Sequence, residues 1–499
     1  MLKAILRSST AFILIFTLLF SNFSLDVFAE EEIISLNLET RLASEVQTYT
    51  SNDKALIKSI STQLKNLNST VDIYSFRLVA NEENIQKIVH ILSYEVHECF
   101  HIERNFSITS SKEGYISTII PQYGYTITEY KKMLSKCEDV ADKMLNGIEG
   151  NSKLSDVEKL LILHDRIALA CEYDYERYEM GTVPQISHTL YGVFGNGIAV
   201  CQGYAIAYAY LLDRIGIENY FCDSDTLYHV WNIVYVNGKA YHVDITWDDN
   251  PWDVTGKVTH DNFLVSTKKL IQNGHTANDF DTTPSSTTYD NYFWQNSQAA
   301  FTLLNDEIYY IDSKTVKNKQ YVLINRYSDR KTVYQTEHYW MGSANGYWPG
   351  NYARLCSDGV NLLFSLSDGI YSFNPKTQNS EKILSKPYLN GYFNIYGFTY
   401  TDGMLIYDLS DYPVFDNLTK ALYEYKTPYT PPLTYTPGNL NDDGFVDLQD
   451  VSSLAKILAG WQVTVNNDAL DVNGDGSQNL KDLIHLSRYV AGWEGIVLH

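Results

Sequence analysis

Three side chains in the middle of the chain could form a nucleophile and its base. Cys201 opens the run Gln202-Gly-Tyr-Ala-Ile-Ala-Tyr-Ala-Tyr-Leu-Leu, whose alanines and leucines read as a buried helix ending at Gly216. That puts Cys201 at a helix N-terminus, where the dipole and free N–H groups lower a thiol pKa and can hold an oxyanion. The plainer reading is a small buried residue at the start of a core helix. Downstream, His229-Val-Trp-Asn-Ile-Val-Tyr-Val and Lys239-Ala-Tyr-His-Val-Asp244-Ile-Thr-Trp247 alternate like strands, and Asn237-Gly238 between them predicts a tight type I′ hairpin. A two-residue loop pairs Val236 with Lys239, Trp231 with Asp244 and His229 with Thr246. His229 and Asp244 then become diagonal neighbours on one face, within ~7–8 Å at Cβ. A three-residue loop would put them on opposite faces. Thiol, imidazole and carboxylate in this order follow the logic of nucleophilic catalysis.

A second constellation lies at the C-terminus, where residues 439–461 and 471–493 align without gaps. Each copy has oxygen-bearing residues at the spacing of a twelve-residue calcium loop, with a backbone carbonyl at position 7 and glycine at position 6. The first loop offers Asn439, Asn441, Asp443, Phe445 (carbonyl), Asp447 and Asp450. The second offers Asp471, Asn473, Asp475, Ser477 (carbonyl), Asn479 and Asp482. One such loop could be a chance Asx-rich turn; two in register, each leading into an apolar helix, make chance a poor account. Two structural Ca2+ ions are expected, the first held more weakly because Asn439 lacks a charge.

Other polar residues near the first constellation have plainer readings. Trp231 is expected to wall the site, His242 to pack beneath it, and Asp248 and Asp249 to be turn acids. Cys171 and Cys222 read as structural. The six cysteines are irregularly spaced and form no CxxC pair, so few or no disulfides are expected.

The elements that must position these groups follow from periodicity. Leu56, Ile57 and Ile60 begin one helical pattern and residues 82–97 form another, while 114–121 look like a strand. Residues 128–148 and 155–171 resume the 3.6-residue period, opening on Thr128 and Ser155 as caps. From about 290 three units repeat: Asn305-Asp-Glu-Ile-Tyr-Tyr-Ile-Asp, Ser357-Asp-Gly-Val-Asn-Leu-Leu-Phe and Thr401-Asp-Gly-Met-Leu-Ile-Tyr-Asp. A turn followed by strand residues at such spacing resembles propeller blades. Pro428, Pro431, Pro432 and Pro437 then mark a semi-rigid linker. At the other end, Lys3 and Arg7, an apolar stretch over 11–20 and Val27-Phe28-Ala29 form a secretory signal with cleavage after Ala29. That run is too short to span a bilayer. A net charge of −22 opposes binding to nucleic acid or to an anionic membrane.

Val200-Cys-Gln-Gly-Tyr-Ala, His229-Val-Trp-Asn and Val243-Asp-Ile-Thr-Trp-Asp resemble the three motifs of transglutaminase-like domains, and His164-Asp and Tyr173-Asp-Tyr fit bacterial members. The resemblance covers about residues 50–270. It implies a papain-related α+β fold, with Cys201 as nucleophile, His229 as general base and acid, Asp244 orienting the imidazole, and no cofactor for catalysis. The C-terminal duplication resembles the type I dockerin, including Asp at loop position 12. This second resemblance implies a cohesin module of a scaffoldin as partner, read through Leu448, Gln449, Leu480 and Lys481, in a secreted, cellulosome-like complex. The domain order expected is a signal peptide at 1–29, a transglutaminase-like α+β domain at 30–285, a β-rich blade-like domain at 286–426, a linker at 427–437 and an all-α dockerin at 438–496. The substrate implied is a peptide or protein. Water as acceptor would make the enzyme a peptidase or amidase, and a lysine amine would make it a cross-linker. The alternative is a non-catalytic binding protein on an inactive fold.

Overall fold

The computed structural model describes residues 33–38, 49–249, 254–277, 279–280, 282–342, 346–389, 393–413, 423–431, 437–441, 443 and 445–499. The signal segment 1–29, Pro432, and Asp442 and Gly444 of the first loop lie outside the described residues. The chain divides into two compact units: residues 1–253 with 257–298, and residues 254–256 with 299–499.

The first unit is α+β. Strands β1 (Ile33–Asn37), β2 (Val71–Asp72), β3 (Ile102–Ser110) and β4 (Ile116–Tyr123) form an antiparallel sheet in the order β1-β3-β4-β2. Leu56, Ile60 and Leu64 of helix α1 (Ser51–Lys65) share a core with Ile85 and Ile88 of α2 (Glu82–His90) and with Ile108 and Ile119 of that sheet. Helix α3 (Ile127–Leu145) is capped by Thr126, not Thr128 as the pattern predicts. Thr126 accepts the Glu129 N–H while the Glu129 carboxylate takes the Thr126 N–H, a capping box that Thr128 has no partner to form. Ser155 caps α4 (Asp156–Ala168) in the same way.

Short strands β5 (Glu172–Tyr173) and β6 (Ile198–Ala199) pair in parallel and lead into α6, with α5 (Tyr175–Met180) between them. Helix α6 (Cys201–Ile215) is apolar on all sides and buried from Gly203 to Leu212, as a helix without a polar face must be. A Cβ at Gly203 would come within 2.8 Å of Ala199 Cβ and 2.9 Å of Ser187 O, so only glycine lets this end of α6 seat there. Next come β7 (Asn219–Ser224), β8 (His229–Val236), β9 (Lys239–Val243), the short α7 (Ile245–Asp248), β10 (Phe263–Val265) and α8 (Thr267–Gln272). The second sheet has the order β10-β9-β8-β7. Asn232 of β8 bonds the Ala205 carbonyl of α6, while Trp231 and Ile233 pack with Val265 and Leu270. The unit continues past 285 to Gln298, because Tyr289, Tyr292 and Trp294 form an aromatic stack that meets Phe263.

The second unit opens with β-sheets. Strands β11 (Thr302–Leu304), β12 (Glu307–Val316), β13 (Lys319–Arg326) and β14 (Thr332–Glu337) form one antiparallel meander. After the small pair β15 (Trp340–Met341) and β16 (Tyr347–Trp348), strands β17 (Leu355–Ser357), β18 (Leu362–Leu366), β19 (Gly369–Phe373) and β20 (Ser380–Ser385) form another. Strands β21 (Asn394–Thr401), β22 (Met404–Ser410) and β23 (Tyr423–Pro428) form a third. The three repeats seen in the sequence are the first hairpins of these three sheets. Thr427 and Pro428, expected in the linker, instead complete the edge strand β23 opposite Leu405 and Met404, a place where proline costs no ladder bond. Helices α9 (Leu448–Leu458) and α10 (Leu480–Val490) follow, closing on Leu440, Leu454, Leu470, Val472 and Leu486.

Candidate active site and metal loops

The hairpin that carries the histidine forms through the turn its sequence demands. Asn237 and Gly238 both have positive φ, 50° and 71°, and pairing runs from Val236↔Lys239 to Asn232↔Val243. The ladder then stops, correcting the expected Trp231–Asp244 and His229–Thr246 pairs. Asp244 leaves the strand to cap α7, its Oδ1 accepting the Trp247 N–H at 3.2 Å. This frees Oδ2 to meet His229 Nε2 at 2.6 Å. An ionised carboxylate only accepts, so Nε2 carries the proton. Cys201 lies close enough to the same imidazole to favour its charged form. Cys201 is the first residue of α6, and Val200 at the cap has no side-chain oxygen to occupy the first-turn N–H groups.

All three side chains are buried, with Asp244 fully so. Burial alone would push the His229 imidazole down; the Asp244 charge and hydrogen bond, with a further contribution from Cys201, carry it up to about 10. Burial likewise opposes ionisation of Asp244, but His229 and His275 hold its carboxyl below the usual range. All six cysteines are thiols rather than disulfides. Burial pushes Cys99 and Cys137 up to about 12 and Cys171 and Cys356 higher still.

Sequence reasoning missed His275. Its Nε2 lies 2.7 Å from Asp244 Oδ2, the oxygen that also receives His229, and its ring packs on Trp247 with centroids 3.8 Å apart. No strand or helix pattern surrounds it; it follows the end of α8 in a loop. Trp231 does not wall the site: it is buried beneath His229, stacked at 5.4 Å, and donates to His242 Nδ1 at 2.9 Å. His242 bonds Thr267 Oγ1 through its other nitrogen, and burial pulls it down to about 3, so it remains neutral. Asp248, the last residue of α7, and Asp249 just after it are both buried. Asp249 accepts the Tyr204 hydroxyl at 2.5 Å. Asp248 accepts from Asn262 and from His164, whose other nitrogen meets Asp165 at 2.8 Å; Asp165 also meets His260 at 2.9 Å. Burial disfavours the His164 charge, yet Asp165 and Asp248 raise it to about 9. This buried network joins α4, α7 and the segment before β10.

In the C-terminal loops the side chains bond the loop backbone and one another. Asn441 Oδ1 accepts the Asp443 N–H and Asp443 Oδ1 the Phe445 N–H; Asp447 and Asn479 cap α9 and α10. Asp450 accepts from Leu440, Asn441 and Asp447, and Asp482 from Asn473 and Asn479. Asp471 takes the Asp475 and Gly476 N–H groups, Asp475 takes that of Ser477, and the Ser477 carbonyl faces Asn479 Nδ2. Asn439 Oδ1 is a buried acceptor with no hydrogen-bond partner among the described residues. An orphaned oxygen within a set of hard oxygen donors fits a calcium ion.

No curated protein sequence matches the chain. Among solved structures it is similar to a TGase, at 14% identity and a TM-score of 0.20 over 45% of this chain. The match spans about half of that chain, 53%. A second is an arylamine N-acetyltransferase from Bacillus cereus described as having a unique Cys-His-Glu catalytic triad, at 10% identity and a TM-score of 0.19 over 50% of this chain and 92% of that one. Likenesses at these TM-scores add nothing to the reading of the site. The C-terminus is different: residues 437–491 match the family described as Dockerin type I domain. Type I dockerins bind calcium, and this chain ends in one.

Proposed function

We propose that this is a secreted enzyme that transfers acyl groups through a Cys201 thioester, anchored by its dockerin to a cohesin on a scaffoldin in a cellulosome-like complex. The observation that carries the catalytic half is the thiol–imidazole–carboxylate line, closed at 2.6 Å by a fully buried Asp244. The Cys201 thiolate attacks the acyl carbonyl, and the Cys201 N–H at the start of α6 donates to the developing oxyanion. The C–N bond breaks as His229 gives its proton to the departing amine. An incoming nucleophile gives a proton to His229 and displaces the thiolate. Asp244 holds the ring and stabilises its charge throughout. Water is the favoured acceptor, which makes the enzyme a peptidase or amidase needing no cofactor for this chemistry.

Calcium, when bound, neutralises the clustered loop carboxylates. Asn439, Asn441, Asp443, Asp447 and Asp450 with the Phe445 carbonyl would hold one ion. Asp471, Asn473, Asp475, Asn479 and Asp482 with the Ser477 carbonyl would hold the other. Leu448 and Leu480, at the helix starts, are more than three-fifths exposed and suit a partner surface.

Thiol labelling tests the catalytic reading. A small electrophile should modify Cys201 far faster than Cys171 or Cys222. Replacing His229 by alanine should slow that reaction ~10²–10⁴-fold, and Asp244→Asn by less. Equal rates at all folded-state thiols would remove the enzymatic reading.

A further inference from the structure

We infer that the cleft beside His229 is an acyl-donor subsite for an uncharged aromatic side chain of a polypeptide. This rests on the thioester reading and goes beyond it to the substrate. The cleft has a volume of about 420 Å³ and is walled by Tyr173, Tyr175, Tyr178, Tyr228 and Trp247, with His229 on its margin. A cleft of this size suits one large side chain and its flanking backbone, at the lower end of small-ligand sites.

Its walls are built to stay open. Tyr228 is 72% exposed, Tyr178 47% and Trp247 41%, and an aromatic cluster left to water beside His229 is a place for something to bind. Tyr228 adopts φ 51°, a left-handed conformation costly for a bulky residue, at the position immediately before His229. Trp247 is backed by His275 at 3.8 Å, and Tyr173 meets Tyr178 edge-on at 5.9 Å. Trp247, Tyr173 and Tyr178 are therefore braced by neighbouring rings, and edge-to-face packing against them favours another ring.

Charge and polarity narrow the choice. Of the ionisable lining groups with a carboxylate or imidazole, Asp249 is engaged by Tyr204 and His229 by Asp244. A lysine or arginine in the cleft would face the His229 imidazolium. A carboxylate would exchange water for aromatic faces. A pyranose would need several side-chain partners for its hydroxyls; besides tyrosine hydroxyls the lining offers Thr246 and the already engaged Asp249 and His229.

The test uses the full chain and chloroacetamides bearing benzyl, methyl, aminobutyl, carboxyethyl or glucosyl groups, in each of which the thiolate displaces chloride. The benzyl probe should react at Cys201 about tenfold or more faster than the methyl probe, as expected for a filled apolar pocket. Tyr228→Ala and Trp247→Ala should bring that ratio toward one, while Tyr228→Phe, which keeps the ring, should preserve it. Melting curves show whether each variant is folded. A wild-type ratio near one, or a preference for a charged or glucosyl probe, overturns the subsite while leaving the thioester reading standing. Failure of iodoacetamide itself to modify Cys201 preferentially overturns the thioester reading and the subsite with it.

Discussion

His229 is protonated across the neutral range because Asp244 faces it inside the protein. A group whose folded pKa lies above its unfolded value of 6.5 stabilises the fold fully below that value and loses this contribution as pH rises through about 10. The melting temperature should therefore fall over that window, and less steeply in Asp244→Asn, where the imidazole has lost its charge partner; parallel curves would refute the pairing. His275 touches Asp244 rather than Cys201, so under the proposed reaction it would be a positioning residue. Its removal gives the whole carboxylate charge to His229, so His275→Ala should move the alkaline midpoint of acyl transfer upward while slowing labelling about tenfold, the worth of one charge-assisted hydrogen bond. His275→Gln, which keeps an N–H donor, should restore part of both. Cys201 and His229 were legible in the sequence through a helix start and a two-residue turn, whereas Asp244 reaches His229 by leaving the strand to cap α7. His275 was not, because a loop residue carries no period, and neither was the buried role of Asp248, since an acid after a strand looks the same whether or not a distant histidine awaits it.

At the level of elements, the hairpin sets the face that His229 occupies. A glycine inserted between Asn237 and Gly238 should turn β8 and β9 out of step, separating His229 from Asp244 and slowing Cys201 labelling ~10²-fold or more. A rate within a few-fold of wild type would show that the turn does not govern the site. The sequence read the turn correctly but carried the ladder too far, since the capping preference of Asp244 for α7 overrides strand pairing. The same competition moved the start of α3 from Thr128 to Thr126: a cap is chosen by its partner three residues on. In the dockerin loops, calcium should raise the melting temperature of the C-terminal helices, since a ligand that binds only the folded form stabilises it by ~2.7 kcal/mol at a hundredfold excess over Kd. Asp471→Ala should weaken calcium uptake more than Asn439→Ala, because it removes a formal charge. Calorimetry with the full chain reads both.

For the whole molecule, Cys201, His229, Asp244 and His275 lie within the first unit, and every residue proposed to hold calcium lies within the second. Chelation should abolish cohesin binding and leave Cys201 labelling unchanged; a labelling rate that follows calcium would reveal coupling absent from this reading. Large-scale organisation was legible where it repeats. The dockerin announced itself by duplication and the three sheets by their recurring turns. The boundary near 298 was hidden, because the tyrosines and tryptophan of 289–294 fit a β-rich region as well as an aromatic stack closing an α+β core.

The Asn237-Gly238 turn should also be the place where the protein ages first. Both residues are exposed, and the glycine offers nothing to screen its peptide nitrogen from the asparagine amide. Attack there expels ammonia and closes a succinimide, which water opens to aspartate or to isoaspartate, and the second product reroutes the backbone through one extra methylene. Asparagine is among the residues that age fastest, and here ageing would lengthen the loop that sets the register of β8 against β9. Protein stored warm at mildly alkaline pH should lose Cys201 reactivity in step with conversion of Asn237, read by peptide mass analysis. Asn237→Gly, which preserves the turn type, should hold its reactivity under the same storage.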